Sequence, residues 1–322
     1  MKSYLIYKPG SPEELKLEEI PTPKAEIGKI LIQIKAFGLN RSEYFTRLGH
    51  SPNVRFPRVL GIECVGLVQE SKEPEFPSGT KVAAFMGGMG REFNGSYAEY
   101  TLVPKSCVKK IESNLPWEKL GAFPEMLQTT HGSLYKALEI ERAKTLLIRG
   151  GTSSIGLCAL AIAKKAGLEV ISTTRNPDNI PKLKSLGADH VILEKAEIKN
   201  EIKSILPKGV DRVLELIGAS TLIDSLHCTR EGGITCMTGI LGGGWVLEQF
   251  APMESIPNSV KLTIYSGGSN DISDAKLNSY IRLYERGELQ IELGKVYAFS
   301  DLVQAHHDMD NNKAGGKQVV MI

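Results

Sequence analysis

No stretch of this sequence is apolar for long enough to cross a bilayer. A span needs about 18 or more consecutive apolar residues, and the longest uncharged stretches, such as residues 232–247, are broken by glycine and threonine. No sign of charge dominates: 39 Lys and Arg stand against 37 Asp and Glu, a formal net charge of +2, and no basic cluster of the kind that tracks a phosphate backbone occurs. Nucleic acid and membrane are therefore not expected partners. The five cysteines, Cys64, Cys107, Cys158, Cys228 and Cys236, are odd in number and contain no C-x-x-C pair, which excludes a disulfide framework and a cysteine zinc knuckle. The amino terminus meets Lys8, Pro9 and Gly10 before an apolar core of useful length can form, so it reads as a strand, not a signal peptide, and a cytoplasmic protein is expected. What is present is ordinary for a globular chain: 322 residues, 42% hydrophobic and 24% charged, enough for about two domains.

Residues 1–123 consist of short strand-like runs between turn residues: SYLIY, KILIQIKAFG, CVGLVQE, TKVAAF and GSYAEYTLV. From about residue 124 the pattern changes to alternating strand and helix. A helix-like stretch over 130–138 leads to the apolar strand TLLIRG. Strands EVISTT, HVIL, RVLELIG and ITCMTG follow, separated by helical segments over 155–166, 180–186, 198–206 and 222–228. Such alternation predicts a doubly wound parallel sheet. The remainder predicts a strand KLTIYSG, a helix over 274–286, the segment GKVYAFS, a helix over 302–309 and a last strand KQVVMI, with the chain end returning to the first domain.

The strongest local signal is TLLIRGGTSSIG, residues 145–156, a buried strand that enters a turn of small residues and then the helix LCALAIAKKAG. Small residues let backbone N–H groups and a helix N-terminus approach a pyrophosphate, whose charge the helix dipole favours. Gly151, Ser153 and Gly156 hold the three fingerprint positions, with Thr152, Ser154 and Ile155 between them, and the Ser153 hydroxyl is offered as a further phosphate donor. The alternative is a turn serving strand-to-helix packing alone. About 20 residues on, an NAD site carries an acid for the ribose hydroxyls. Here the place reads Thr173, Thr174, Arg175, two hydroxyls and a guanidinium suited to a 2′-phosphate, so NADPH is the expected cofactor. The alternative leaves Arg175 as a solvated surface charge.

With these residues in view, the chain resembles the medium-chain dehydrogenase/reductase superfamily and, within it, the zinc-free quinone oxidoreductase branch, along nearly its full length. The runs that carry the resemblance are FGLNRSEYFTRLG, LGIECVGLV, GSYAEY, LLIRGGTSSIG, LGADHVI and GGKQVV. It implies a GroES-like β domain, residues 1–124 and 267–322, and a Rossmann NADP-binding domain, residues 125–266. Where zinc alcohol dehydrogenases carry cysteine and histidine ligands, this chain carries Asn40 and Ile62, neither of which can hold zinc as an N/S ligand; the third position falls near Glu125. No metal is expected, and Glu63 reads as a structural acid. Loss of a Lewis acid favours easier hydride acceptors, quinones and conjugated enones, whose developing charge hydrogen bonds can stabilise.

The resemblance further implies Asn40 as a donor to the substrate oxygen, against a plain helix-capping role. It offers Ser42 as a hydroxyl donor, Arg41 as a contact to the cofactor phosphates, Tyr44 with Phe45 as an aromatic wall, Thr129 as a nicotinamide contact and Lys317 as a lysine closing over the cofactor, against a surface charge. Gly239, Ile240 and Leu241 follow a strand end that faces the binding crevice in a parallel sheet, where backbone groups can bond a carboxamide. His131 is more readily structural than a proton donor, and His306 and His307 read as solvated. The resemblance also implies a homodimer. Two other readings are a nucleotide-binding structural or RNA-binding protein with little turnover, which only analogy supports, and a zinc alcohol dehydrogenase, which Asn40 and Ile62 contradict.

Overall fold

A computed structural model describes residues 1–52, 54–313 and 315–322. The chain divides into two compact units, one of residues 1–128, 268–286 and 293–322, the other of residues 129–267 and 287–292.

In the first unit, strands β1 (Lys2–Ile6), β2 (Lys16–Glu19) and β4 (Arg58–Val59) make a small antiparallel sheet in the order β2-β1-β4. The main sheet is centred on β3 (Lys29–Gly38), which is covered on both faces: every residue of ILIQIKAF is buried except Gln33 and Lys35. β3 pairs antiparallel with β5 (Glu63–Ser71) and with β7 (Tyr100–Pro104), β5 pairs with β6 (Lys81–Phe85), and β6 with β8 (Val108–Lys110). Helix α1 (Arg41–Arg47) leaves directly from β3, and α2 (Trp117–Leu120) and α3 (Pro124–His131) close this part of the chain. Ile30, Ile32, Ile34, Phe37, Val68, Val82 and Tyr97 belong to its buried core.

The second unit is built on a six-stranded parallel sheet of β9 (Thr145–Arg149), β10 (Glu169–Thr174), β11 (His190–Leu193), β12 (Val210–Glu215), β13 (Thr229–Met237) and β14 (Lys261–Ile264). Its order is β11-β10-β9-β12-β13-β14, the arrangement in which β9 and β10 diverge from β12 at a topological switch. The crossovers are α4 (Ser154–Lys165), α5 (Ile180–Ser185), α6 (Lys199–Ile205) and α7 (Ala219–Cys228), with a short α8 (Pro252–Ser255) before β14. Leu147, Ile171, Ile198, Ile202, Val210, Val213 and Cys228 pack into one cluster. The helix expected over 130–138 is instead the end of α3 followed by a π-helix, Gly132–Ala137. There the Tyr265 hydroxyl comes so near Gly132 that a Cβ would stand 1.8 Å from it.

The last segment returns to the first unit: α9 (Asp274–Glu285), β15 (Leu293–Ala298), α10 (Leu302–Asp310) and β16 (Lys317–Met321). β16 pairs with β3 and β15, which extends the main sheet to β15-β16-β3-β5-β6-β8. Among the described residues, no helix is long and apolar enough to cross a membrane.

Candidate functional site

In the second unit the turn after β9 is shaped by close backbone approach. A Cβ on Gly151 would lie 1.9 Å from the Ser172 hydroxyl, and one on Gly156 would lie 2.5 Å from the Gly150 carbonyl oxygen. Ser153 is the N-cap of α4. Its hydroxyl donates to the Gly150 carbonyl at 2.8 Å and accepts from the Gly156 N–H at 3.1 Å. The proton offered to a phosphate by the sequence reading is therefore spent inside the turn, and the hydroxyl serves as a cap. The N–H groups of Ser154 and Ile155, which follow the cap, find no acceptor among the described residues. Two orphan donors at the start of a 12-residue helix, over a turn that only glycine can make, fit the pyrophosphate of a dinucleotide. Thr152 is half-buried in the same turn.

At the end of β10 the expectation needs correction. Thr173 is buried; its hydroxyl donates to Glu194 at 2.6 Å and accepts from the Gly150 N–H at 3.1 Å. The Thr174 hydroxyl donates to the Asn176 carbonyl at 3.1 Å. Neither hydroxyl proton is left for a 2′-phosphate. Arg175 is exposed and alone of the three keeps its donors in solvent. After β13, the N–H groups of Gly239 and Leu241 donate to the carbonyls of Glu215 and Leu216, at 3.2 and 3.0 Å, so their carbonyls and the Ile240 N–H are what this loop offers a ligand. Thr129 lies on α3, where its carbonyl accepts from the Ser133 hydroxyl at 2.7 Å. The His131 ring packs beside Tyr135, 4.7 Å between centroids.

In the first unit, Asn40, Glu43, Glu63, Glu125 and Lys317 form one cluster, with Glu43, Glu63 and Lys317 buried and Asn40 and Glu125 half-buried. β3 ends at Gly38, and the chain then places Asn40 ahead of α1, while β5 begins with Glu63 and β16 with Lys317. Gly38 is needed there, because a Cβ would come within 2.4 Å of Glu63 Oε1 and 2.6 Å of Lys317 Cε. Lys317 Nζ meets Glu63 Oε1 at 2.5 Å and Glu125 Oε2 at 3.3 Å, and it also donates to Asn40 Oδ1. Its three protons are thus taken, and it is 1% exposed. Lys317 is neither a surface charge nor, in this arrangement, a lysine with a donor to spare. Burial alone would lower its pKa, but the carboxylates of Glu63 and Glu125 outweigh this and hold it raised.

Asn40 has the same saturation. Its Nδ2 donates to Glu63 Oε1 at 3.0 Å and Glu43 Oε1 at 3.3 Å, and its Oδ1 accepts from Lys317. With both amide protons on carboxylates, Asn40 has none for a substrate oxygen, and its side chain makes no capping bond to α1 either. Glu63 Oε2 accepts from the Glu125 N–H at 2.8 Å. Glu43 accepts from the Ile62 N–H at 3.1 Å, its Oε2 has no partner among the described residues, and burial pushes its carboxyl up to about 7. A fully buried acid with one orphaned oxygen holds its proton more tightly than an exposed one. The Ser42 hydroxyl oxygen accepts from the Arg91 guanidinium, which leaves its own proton available. Tyr44 lies beside the guanidiniums of Arg41 and Arg47, 5.0 and 5.6 Å from its ring centre, with Phe45 edge-on, and Arg41 also donates to Asn312 at 2.6 Å.

His306 is not solvated. It is fully buried, with Nε2 2.9 Å from the Tyr97 hydroxyl, and burial, aided by Arg47, lowers its pKa to about 3. His307, more open, pairs with Glu13 at 2.6 Å. Sequence reasoning also passed over the charges inside the second unit's sheet. Arg149 and Glu215 are buried there, with Asp224 buried beside them on α7, and burial pushes Glu215 up although Ser225 and Arg149 oppose it. For Arg149 and Glu215 the signal was a charge that closes an apolar strand end, TLLIR and VLE.

A GroES-like β unit joined to a parallel sheet with a dinucleotide turn is the architecture of the alcohol dehydrogenase type. Residues 26–113 match the alcohol dehydrogenase GroES-like domain, and residues 154–280 match the family described as zinc-binding dehydrogenase, about two thirds of the chain between them. The quinone oxidoreductase of Lama guanicoe is 25% identical over the whole of this chain and 97% of its own length. The acryloyl-coenzyme A reductase of Sulfurisphaera tokodaii is 25% identical over 72% of this chain and 75% of its own. The Escherichia coli quinone oxidoreductase complexed with NADPH superposes over all of both chains with a TM-score of 0.87, at 22% identity. The chain belongs to the medium-chain dehydrogenase/reductase superfamily, in its quinone oxidoreductase branch.

Proposed function

We propose that this protein is an NADPH-dependent oxidoreductase that delivers hydride to a quinone or an α,β-unsaturated carbonyl without a metal. The observation that carries the reading is the turn of residues 150–156, with glycines that admit no Cβ and two unspent N–H groups at the start of α4. When bound, the cofactor supplies the hydride. Residues 151–156 hold its pyrophosphate, Arg175 pairs with the 2′-phosphate, and Gly239 to Leu241 meet the carboxamide through the two carbonyls and one N–H left to them. Thr129, Arg41 and Lys317 stand as further proposed cofactor contacts, the last only if its ion pairs rearrange. Ser42 is the proposed donor to the reduced oxygen and Tyr44 the proposed aromatic contact, with Asn40 positioning the acids around Lys317. Relatives described as quinone oxidoreductase and acryloyl-coenzyme A reductase support the acceptor class, and the NADPH complex of the Escherichia coli protein supports the cofactor.

The domain assignment carries over as part of the proposal, with residues 1–124 and 267–322 catalytic and 125–266 NADP-binding. So do a cytoplasmic location and a homodimer. Exposed Ile264 on the edge strand β14, with exposed Val246 and Met253 near it in sequence, supports pairing of two β14 edges. Initial rates of NADPH and NADH oxidation against quinones, enones, aldehydes and ketones, in chelator-treated buffer, test the activity. Turnover of quinones or enones with NADPH is expected; silence across the panel with NADPH still bound would favour the reading as a nucleotide-binding protein with little turnover.

A further inference from the structure

Three strand ends and one helix of the second unit converge on a single buried guanidinium. Arg149, the last residue of β9, faces Glu194, just beyond β11, through Nε at 3.3 Å and through Nη2. Its Nη1 donates to Asp224 on α7 at 2.8 Å and to the Ser225 hydroxyl at 3.2 Å, and Nη2 donates to the Lys195 carbonyl at 2.9 Å. Glu215, which ends β12, lies 4.0 Å from Nε. One positive charge stands among three carboxylates.

This network reaches the place where such folds read the cofactor's adenosine ribose. β10 ends in threonines and an arginine, yet the Thr173 hydroxyl donates to Glu194 Oε2 at 2.6 Å. The carboxylate that β10 lacks is delivered from the end of β11, one hydroxyl away. A carboxylate at that position favours a free 2′-hydroxyl and repels a 2′-phosphate. Glu194 is held back from that role: its side chain is 6% exposed, and the planar fork of Arg149 grips both of its oxygens, sharing Oε2 with the Thr173 hydroxyl.

We propose that the Arg149–Glu194 pair determines specificity at the adenosine 2′ position, Arg149 neutralising Glu194 so that a 2′-phosphate is accepted. The inference rests on the reading of the second unit as a nicotinamide-cofactor site. Because the effect is one of charge, the two halves of the pair act with opposite sign, whereas a purely structural network would weaken both cofactors alike whichever residue was changed.

The test is the dissociation constants of NADPH and NADH for the intact protein, from quenching of its fluorescence at fixed ionic strength, with thermal melts to verify folding. Arg149→Met is expected to weaken NADPH relative to NADH by about tenfold, and Glu194→Gln, which keeps an acceptor for Thr173, to strengthen NADPH relative to NADH by about threefold. The double variant is expected to return the ratio to within about twofold of the wild type. Parallel loss of both nucleotides in the single variants, or an unchanged ratio in Glu194→Gln, overturns the proposal; the second outcome does so even if Arg149→Met fails to fold. A wild-type protein that binds neither nucleotide overturns the cofactor reading itself, and the inference with it.

Discussion

Each unit buries a cation among several acids, Lys317 in the first and Arg149 in the second, and the two are solved differently. Around Arg149 the acids are also served by backbone donors: Asp224 accepts from the N–H groups of Ile198 and Lys199, at 2.9 and 3.2 Å, and Glu215 from those of Ile217 and Gly218, at 2.6 and 3.0 Å. Around Lys317 one compact ammonium is shared by Glu63, Glu125 and Asn40, and Glu43 at the margin keeps an orphaned oxygen. A planar five-donor fork joins several strand ends at once, whereas three rotatable protons satisfy three acceptors and no more. The arginine network is therefore closed, and the lysine cluster retains an acid, Glu43, with one carboxylate oxygen left unpartnered among the described residues.

The largest test of this contrast removes the ammonium. Lys317→Met leaves Glu63 and Glu125 buried without their counter-ion, and a broken buried pair costs about 3 to 5 kcal/mol. Urea unfolding at pH 7 should show that loss, and part of it should return at pH 5, where protonation relieves Glu63, whose pKa burial already raises. Loss that is independent of pH would mean that lysine packing, not charge, holds the cluster.

Glu43 tests the open margin of the same cluster. Its carboxyl sits at about 7 in the folded chain, above its ordinary 4.5, so the folded state binds the proton more tightly. Stability is then fully present below about 4.5 and is lost as pH rises through 7, by about 3 kcal/mol at pH 8 at 1.36 kcal/mol per unit. Glu43→Gln keeps the acceptor for the Ile62 N–H and should abolish that decline, so that the variant is more stable than the wild type at pH 8 and similar at pH 5. His306 slopes the other way. Its pKa is depressed from 6.5 to about 3, so the unfolded chain takes up the proton first and stability falls as pH drops below 6.5. At pH 5 the cost is about 2 kcal/mol, which His306→Gln should remove in acid unfolding curves while any loss of the Tyr97 contact appears equally at pH 8.

The two units also differ in how far their sequence could be read. The Rossmann-type unit was legible because strand, small-residue turn and apolar helix lie adjacent in the chain, and the period of each run reports its burial directly. The lysine cluster joins residues 40, 63, 125 and 317, which only the return of β16 to β3 brings together. No local pattern could say that Asn40 spends both amide protons internally, or that His306 on a polar-looking helix turns inward to Tyr97. Even within the legible turn, residue type fixed the shape and not the partners: Ser153, Thr173 and Thr174 read as free hydroxyls, and the structure ties each to its own neighbourhood.

That last point yields the smallest and most local prediction. If Ser153 is a cap, Ser153→Ala removes the acceptor for the Gly156 N–H and costs about 1 kcal/mol of stability. The N–H groups of Ser154 and Ile155, which are the proposed anion donors, are untouched by the change. NADPH affinity should then fall by less than about threefold, since the hydroxyl itself gives nothing to the phosphate. A loss of affinity of tenfold or more with unchanged stability would reverse the assignment: the hydroxyl would then turn from Gly150 to the ligand on binding, and the second unit's turn, like the first unit's acid cluster, would hold a group that its closed geometry does not display.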